Sequence, residues 1–196
     1  MNPPTEPMPL SMTAMAQKMI AEVIEPGDIA IDATVGNGLD TFFLADRVGP
    51  DGHVIGFDIQ EMAHHRTNLM LGEAGLLTRV RLVRTGHENM DDHMPGNWQG
   101  HIKAVMFNLG YLPRGDKSII TRPETTVPAL ESAANCLCAG GRMSIVIYPG
   151  HEGGADEAAK VMEWADTLDK MEFESELIAS PKASDNAPRL LVVTRR

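Results

Sequence analysis

Ile31-Asp32-Ala33-Thr34-Val35-Gly36-Asn37-Gly38-Leu39-Asp40-Thr41 follows an apolar run and leads into Phe42-Phe43-Leu44-Ala45. That order predicts a strand, a glycine-bearing turn and the start of a helix. Two glycines let backbone approach a ligand closely, and the carboxylates and threonine of the same turn suit a polar or cationic group. The stretch points to a nucleotide-like cofactor held above a strand end.

A second unit strengthens this reading. His53-Val54-Ile55-Gly56-Phe57-Asp58 predicts a short strand ending in an acid, about 20 residues beyond Gly38, the spacing at which a Rossmann-type sheet sets its ribose-binding carboxylate. Further strands are predicted at 28–33, 79–84, 101–107, 142–148, 173–179 and 189–195, and helices at 11–24, 39–48, 60–74, 123–138 and 154–169. Alternation of this kind argues for an α/β fold: a seven-stranded, mostly parallel sheet with helices on both faces. The last two strands lack a helix between them and are expected to form an antiparallel edge hairpin.

Composition narrows the class. A chain of 196 residues with 43% hydrophobic content suits one compact domain over 11–196, preceded by a flexible proline-rich segment over 1–10. Neither a membrane-spanning run nor a signal peptide is evident, so a cytoplasmic location is expected. Cys136 and Cys138 read as two buried reduced thiols near a helix end, and their spacing does not suggest a metal site. A formal charge of −10 argues against charge-driven, nonspecific nucleic-acid binding. A local basic patch remains compatible with it, drawn from Arg79, Arg81, Arg84, Lys103, Arg114, Lys117, Arg122, Lys182 and Arg189. Met12, Met15, Ala16, Met19, Ile20 and Val23 fall on one face of the first helix, capped by Ser11, and read as core. Thr121, Pro123 and Glu124 read as the cap and first turn of the helix that follows.

In an open α/β sheet, ligands collect beyond the carboxyl ends of the strands, and polar clusters stand at five predicted ends. The sequence resembles the class I S-adenosylmethionine-dependent methyltransferases, within them the group labelled putative rRNA methylases, which includes tRNA wobble-uridine methyltransferases. The resemblance is carried by Asp32 to Thr41, Gly56-Phe57-Asp58-Ile59-Gln60, Gly86-His87-Glu88-Asn89-Met90, Phe107 to Pro113, Asp116 to Thr121 and Tyr148-Pro149-Gly150-His151-Glu152-Gly153-Gly154. It implies a Rossmann-like methyltransferase fold and S-adenosyl-L-methionine as cofactor. By position, Asp32, Gly36, Asn37, Gly38, Asp40 and Thr41 would hold the methionine part, Asp58 and Gln60 the ribose, and His87 and Glu88 the adenine. The commoner methyltransferase turn has glycine where Thr34 stands.

Asn108-Leu109-Gly110-Tyr111 occupies the place where amino-methylating relatives carry Asn/Asp-Pro-Pro-Tyr/Phe. The resemblance therefore implies that Asn108 and Tyr111 orient a base and its nitrogen. An alkylamine arrives protonated, by analogy with the lysine reference near 10.4, and Asp116, Tyr111, His151 and Glu152 are candidates to take the proton. Asn186 and Arg189 are candidate substrate contacts, and Arg122 a candidate phosphate contact. The expected activity is methylation of the exocyclic amine of 5-aminomethyl-2-thiouridine at the wobble position, with the tRNA anticodon region as partner and a homodimer as assembly. Alternatives are an rRNA or small-molecule methyltransferase, a nicotinamide-dependent oxidoreductase, or a noncatalytic RNA-binding module.

Overall fold

The computed structural model describes residues 10–111, 119–179 and 184–196. In chain order these form α1 (Met12–Ala21), β1 (Ile29–Asp32), α2 (Leu39–Arg47), β2 (His53–Phe57), α3 (Glu61–Glu73), β3 (Val80–Val83), α4 (Met90–His93), β4 (Ile102–Asn108), α5 (Pro123–Cys136), β5 (Leu137–Ile147), α6 (Gly154–Thr167), β6 (Phe173–Ile178) and β7 (Arg189–Arg195). One sheet takes the strands in the order β3-β2-β1-β4-β5-β7-β6. β3 through β5 run parallel, while β7 pairs antiparallel with both β5 and β6. This is the mostly parallel sheet with an antiparallel edge pair expected from the alternation.

Strand residues alternate between two cores because successive side chains point to opposite faces. Ile31, Ile55, Phe57, Val105, Phe107 and Ile145 pack with Leu130 of α5 and with Val161 and Trp164 of α6. Their neighbours Ala30, Val54, Ala104, Met106 and Val146 pack with Ile20 of α1, Leu44 of α2 and Leu71 of α3. Both faces are thus apolar, which explains why the central strands read as near-continuous hydrophobic runs.

Helix ends follow local chemistry. Ser11 Oγ accepts the Ala14 N–H at 3.2 Å, the cap expected for α1. The methionine stripe flanks the α1 core, with Ala16 and Ile20 fully buried and Met12, Met15 and Met19 packed around them. The helix expected over 123–138 stops at Cys136, because Leu137 turns to φ −59°, ψ 138° and pairs with Ile102. Only Cys136 is buried; Cys138 lies in the strand and is half-exposed, so the expected pair of buried thiols is corrected to one. Thr121 does not cap α5: Arg122 stands at the cap position, with no side-chain bond to the first turn. Among the described residues no helix is long and apolar enough to cross a membrane.

Leu130 of α5 is fully buried in the face shared with α6. Leu130→Ala should lower the unfolding free energy by about 2–5 kcal/mol, measured by urea titration.

Candidate functional site

The chain runs outward from β1 in both directions along the sheet, to β2 and β3 on one side and to β4 and β5 on the other. Loops leaving strands on opposite sides of such a switch point diverge and leave a crevice. Sheet-like hydrogen bonds continue past the strand ends and fix the loops. Ala33 N–H donates to Met106 O at 2.9 Å, Val35 N–H to Phe57 O at 3.0 Å and Leu109 N–H to Val146 O at 2.9 Å. Between them opens a cleft of about 660 Å³ whose walls run from Thr13 of α1 to Asn186 before β7.

Asp58 is the brace between the first two turns. Its Oδ2 accepts the Gly36 N–H at 2.8 Å and its Oδ1 accepts the Gln60 N–H at 2.8 Å. A carboxylate oxygen accepts more than one hydrogen bond, so each keeps capacity for a ligand hydroxyl. Gly36, Asn37, Asp40, Asp58 and Gln60 all line the cleft. Gly38 sits at φ +79°, and a Cβ there would run into Thr67 Oγ1 of α3, which explains glycine at this N-cap.

Asp32, Gly38 and Thr41, expected against the cofactor, are not among the cleft-lining residues. Asp32 is buried, with Oδ2 accepting the Thr41 hydroxyl at 2.5 Å and Oδ1 accepting the Thr34 N–H at 3.1 Å. It shapes the turn from beneath. Burial pushes its carboxyl up to about 7, and the Asp40 charge adds to the shift. Asp40 is also raised by burial, opposed by the hydrogen bond that Gln17 Nε2 of α1 donates to it at 2.7 Å.

His87 and Glu88 follow β3 and line the cleft. Because a carbonyl only accepts, the contact of His87 Nδ1 with Ala33 O at 3.2 Å assigns the proton to Nδ1. Nε2 is then an acceptor, and it is buried with no partner among the described residues. Burial lowers the His87 pKa, so the ring is neutral near pH 7.

The opposite wall carries Asn108, Tyr111 and His151. Thr34 Oγ1 accepts the Asn108 N–H at 2.7 Å, tying the first turn to this loop across the sheet. The side chain that departs from the common glycine therefore has a structural use. Gly110 lies at φ +120° and donates its N–H to Thr121 Oγ1 at 2.7 Å. Proline can adopt neither that φ nor that bond, so this loop has a different construction from a Pro-Pro element. The Tyr111 ring meets His151 edge-on, with centroids 5.9 Å apart. His151 Nδ1 contacts Glu152 O at 2.9 Å, which again puts the proton on Nδ1. Its Nε2 is buried without a hydrogen-bond partner among the described residues.

Asp116, Arg114, Lys117 and Lys182 lie outside the described residues. Arg79, Arg81 and Arg84 do not converge on the cleft: they bond to Ala45 O, His93 O and Glu61 respectively. Arg122 is the one arginine or lysine in the lining among the described residues. Asn186 reaches the cleft, whereas Arg189 bonds back to Asp185 O and does not. Sequence reading missed Thr13 and Thr85 as lining residues, and Glu157, which accepts from the lining residue Thr121. Glu157 carried a legible signal, since a charged residue stands in phase with Ala158, Val161, Trp164 and Ala165 on the apolar face of α6.

A model of the family described as "Putative rRNA methylase" matches residues 54–194. The chain belongs to that rRNA methylase family. An Arabidopsis thaliana relative named tRNA (mnm(5)s(2)U34)-methyltransferase, chloroplastic, is 42% identical over 153 residues, 74% of this chain and 55% of that protein. The chain thus spans little more than half of that relative's length. A crystal structure described as a putative rRNA-methylase from Clostridium thermocellum superposes with a TM-score of 0.91 at 39% identity, covering 97% of this chain and all of that one. A Streptococcus mutans protein described as a putative methyltransferase, solved in complex with SAH, gives a TM-score of 0.84 at 30% identity over 96% of this chain and 100% of that one.

The buried Asp32 makes stability pH-dependent. A carboxyl raised to about 7 contributes stability that is fully present below its unfolded value of about 3.9 and lost as pH rises through 7. Relative to wild type, Asp32→Asn should therefore gain stability as pH increases from 5 to 8, read as the difference in Tm between the two proteins at each pH.

Proposed function

We propose that this chain is an S-adenosylmethionine-dependent RNA methyltransferase that methylates the exocyclic aminomethyl nitrogen of 5-aminomethyl-2-thiouridine at the tRNA wobble position. The observation that carries the reading is the cleft itself. A carboxylate braced to a glycine turn lies on one wall, and an asparagine–tyrosine loop with an acceptor imidazole lies on the other. The printed name of the Arabidopsis relative supports the substrate, and the SAH complex of the Streptococcus protein supports the cofactor.

The residues present fit that cofactor. Asp58 Oδ1 and Oδ2 keep acceptor capacity for ribose hydroxyls, Asp40 offers a carboxylate to the methionine ammonium, and His87 Nε2 is an acceptor awaiting a donor such as the adenine amine. Gly36, Asn37, Gln60 and Glu88 complete the surface. When bound, S-adenosylmethionine supplies a methyl already activated on a sulfonium, so the protein's task is alignment and deprotonation of the nucleophile.

On the substrate side, the Asn108 side-chain carbonyl accepts from the amine while Tyr111 offers a ring face to the base. An amine enclosed beside a cation binds its proton less tightly than in water. His151 Nε2 takes that proton, and the Glu152 carbonyl holds the imidazole in the accepting tautomer. The nitrogen lone pair would then be free to displace the thioether of a bound donor, the new nitrogen–carbon bond forming as the sulfur–carbon bond breaks and its electron pair returns to sulfur. The reading includes a cytoplasmic location and assembly as a homodimer. Exposed Met62 and Leu69 on α3 support an interface.

Isothermal titration with S-adenosylmethionine should give a Kd for Asp58→Ala about 10- to 100-fold weaker than wild type, as expected for hydrogen bonds to a charged group; equal affinities would refute the ribose assignment. Nucleoside mass spectrometry of tRNA from a deletion strain should reveal accumulated 5-aminomethyl-2-thiouridine. An unchanged tRNA profile with an altered rRNA profile would move the substrate to rRNA.

A further inference from the structure

Glu157 is a carboxylate that the chemistry above does not use, and it is 2% exposed within the apolar face of α6. Burying a charge there costs free energy, a cost reduced when its oxygens are hydrogen-bonded. Both are: Oε2 accepts the Thr121 hydroxyl at 2.9 Å and Oε1 accepts the Thr126 hydroxyl at 2.7 Å. Thr126 lies within α5 and is fully buried, so its bond only joins two helices. Thr121 is different.

The single Thr121 proton points to Glu157, which turns the oxygen lone pairs of that hydroxyl toward Gly110 N–H. The Thr121 N–H returns to Gly110 O at 2.9 Å, so both backbone groups of Gly110 are fastened to one residue. Gly110 separates Asn108 from Tyr111 and holds φ +120°, a conformation its own sequence does not enforce. Its hydrogen side faces His151, for a Cβ built there would lie 3.3 Å from His151 Nε2. Rotation at Gly110 would move Tyr111 against the imidazole. α6 begins at Gly154, three residues after His151, and the Glu157 N–H donates to Gly153 O at 3.1 Å. One carboxylate thus references the substrate loop to the helix that follows the acceptor histidine.

We infer that Glu157 is a positioning residue that sets the Asn108–Tyr111 loop against His151 by orienting the Thr121 hydroxyl. The inference rests on the methyltransferase reading of the cleft and adds a residue that never touches substrate or cofactor. It separates two hydroxyls that a merely structural carboxylate would treat alike.

The test compares Thr121→Val, Thr126→Val, Glu157→Ala and Glu157→Gln with wild type in steady-state tRNA methylation, cofactor titration and amide exchange at Gly110. In Thr121→Val and Glu157→Ala, kcat should fall about 10- to 100-fold, the scale of a misplaced reacting group. Cofactor Kd should stay within about twofold and Gly110 exchange should quicken about tenfold, consistent with loss of one hydrogen bond. Glu157→Gln, which keeps an acceptor for Thr121, should recover most of kcat. Thr126→Val should lose stability alone. Unchanged kcat and Gly110 exchange in Thr121→Val, or equal losses in Thr121→Val and Thr126→Val, would overturn the inference. An inactive wild type would instead strike at the methyltransferase reading, and the exchange measurement would still judge the role of Glu157.

Discussion

The bonds from Gly36 and Gln60 N–H to the Asp58 carboxylate are the constraint on which the cleft depends. A parallel sheet fixes where its strands end, but it leaves the turns beyond them free to diverge. Here one side chain gathers the backbone of two consecutive turns and does so with a charged acceptor, whose hydrogen bonds are stronger than neutral ones. Opposite it, Thr34 and Thr121 hold the Asn108–Tyr111 loop through hydroxyls rather than charge. The cleft is therefore closed by side chain to backbone bonds that cross between strand ends.

The floor of the cleft is electrically unusual. Asp32 and Asp40 stand close enough for the charge of Asp40 to oppose ionisation of Asp32, and burial raises both. Near neutrality the pair resists holding two full charges without a cation nearby. An ammonium group entering at Asp40 would relieve that resistance, which gives the acidic turn a chemical reason beyond its place in the chain. The Gln17 amide from α1 supports the same carboxylate from the other side, so the first helix helps shape the site as well as covering the sheet.

Much of this was legible in the sequence, for identifiable reasons. Strand positions follow from apolar runs bounded by turn signals and helix positions from period-3.6 patterning, and boundaries differ from expectation by a few residues at most of the element ends. The exception is β5, which begins straight from α5 at Leu137 because Ile102 provides a partner that local propensity cannot reveal. Asp58 was visible because it ends the second strand about 20 residues beyond the glycine turn, and Asn108 and His151 because polar clusters stand at successive strand ends and match the family's motifs. The supporting roles were hidden. Asp32 reads as a ligand until its burial and its bond to Thr41 are known, and Thr34 meets Asn108 across 74 residues of chain. Thr121 looks like a helix cap because nothing local betrays Glu157, 36 residues away.

The order of strands carries one more consequence, for how the molecule is made. β7 inserts between β5 and β6 although it follows both in the chain. While the protein is being synthesised, β5 presents an apolar flank with unpaired backbone groups, and β6 has no neighbour until β7 arrives. Leu190, Leu191, Val192 and Val193 supply the buried filling of that gap. The nascent chain thus passes through a stage with an open, adhesive edge, and the Asn186 wall of the cleft is completed only when that edge is sealed.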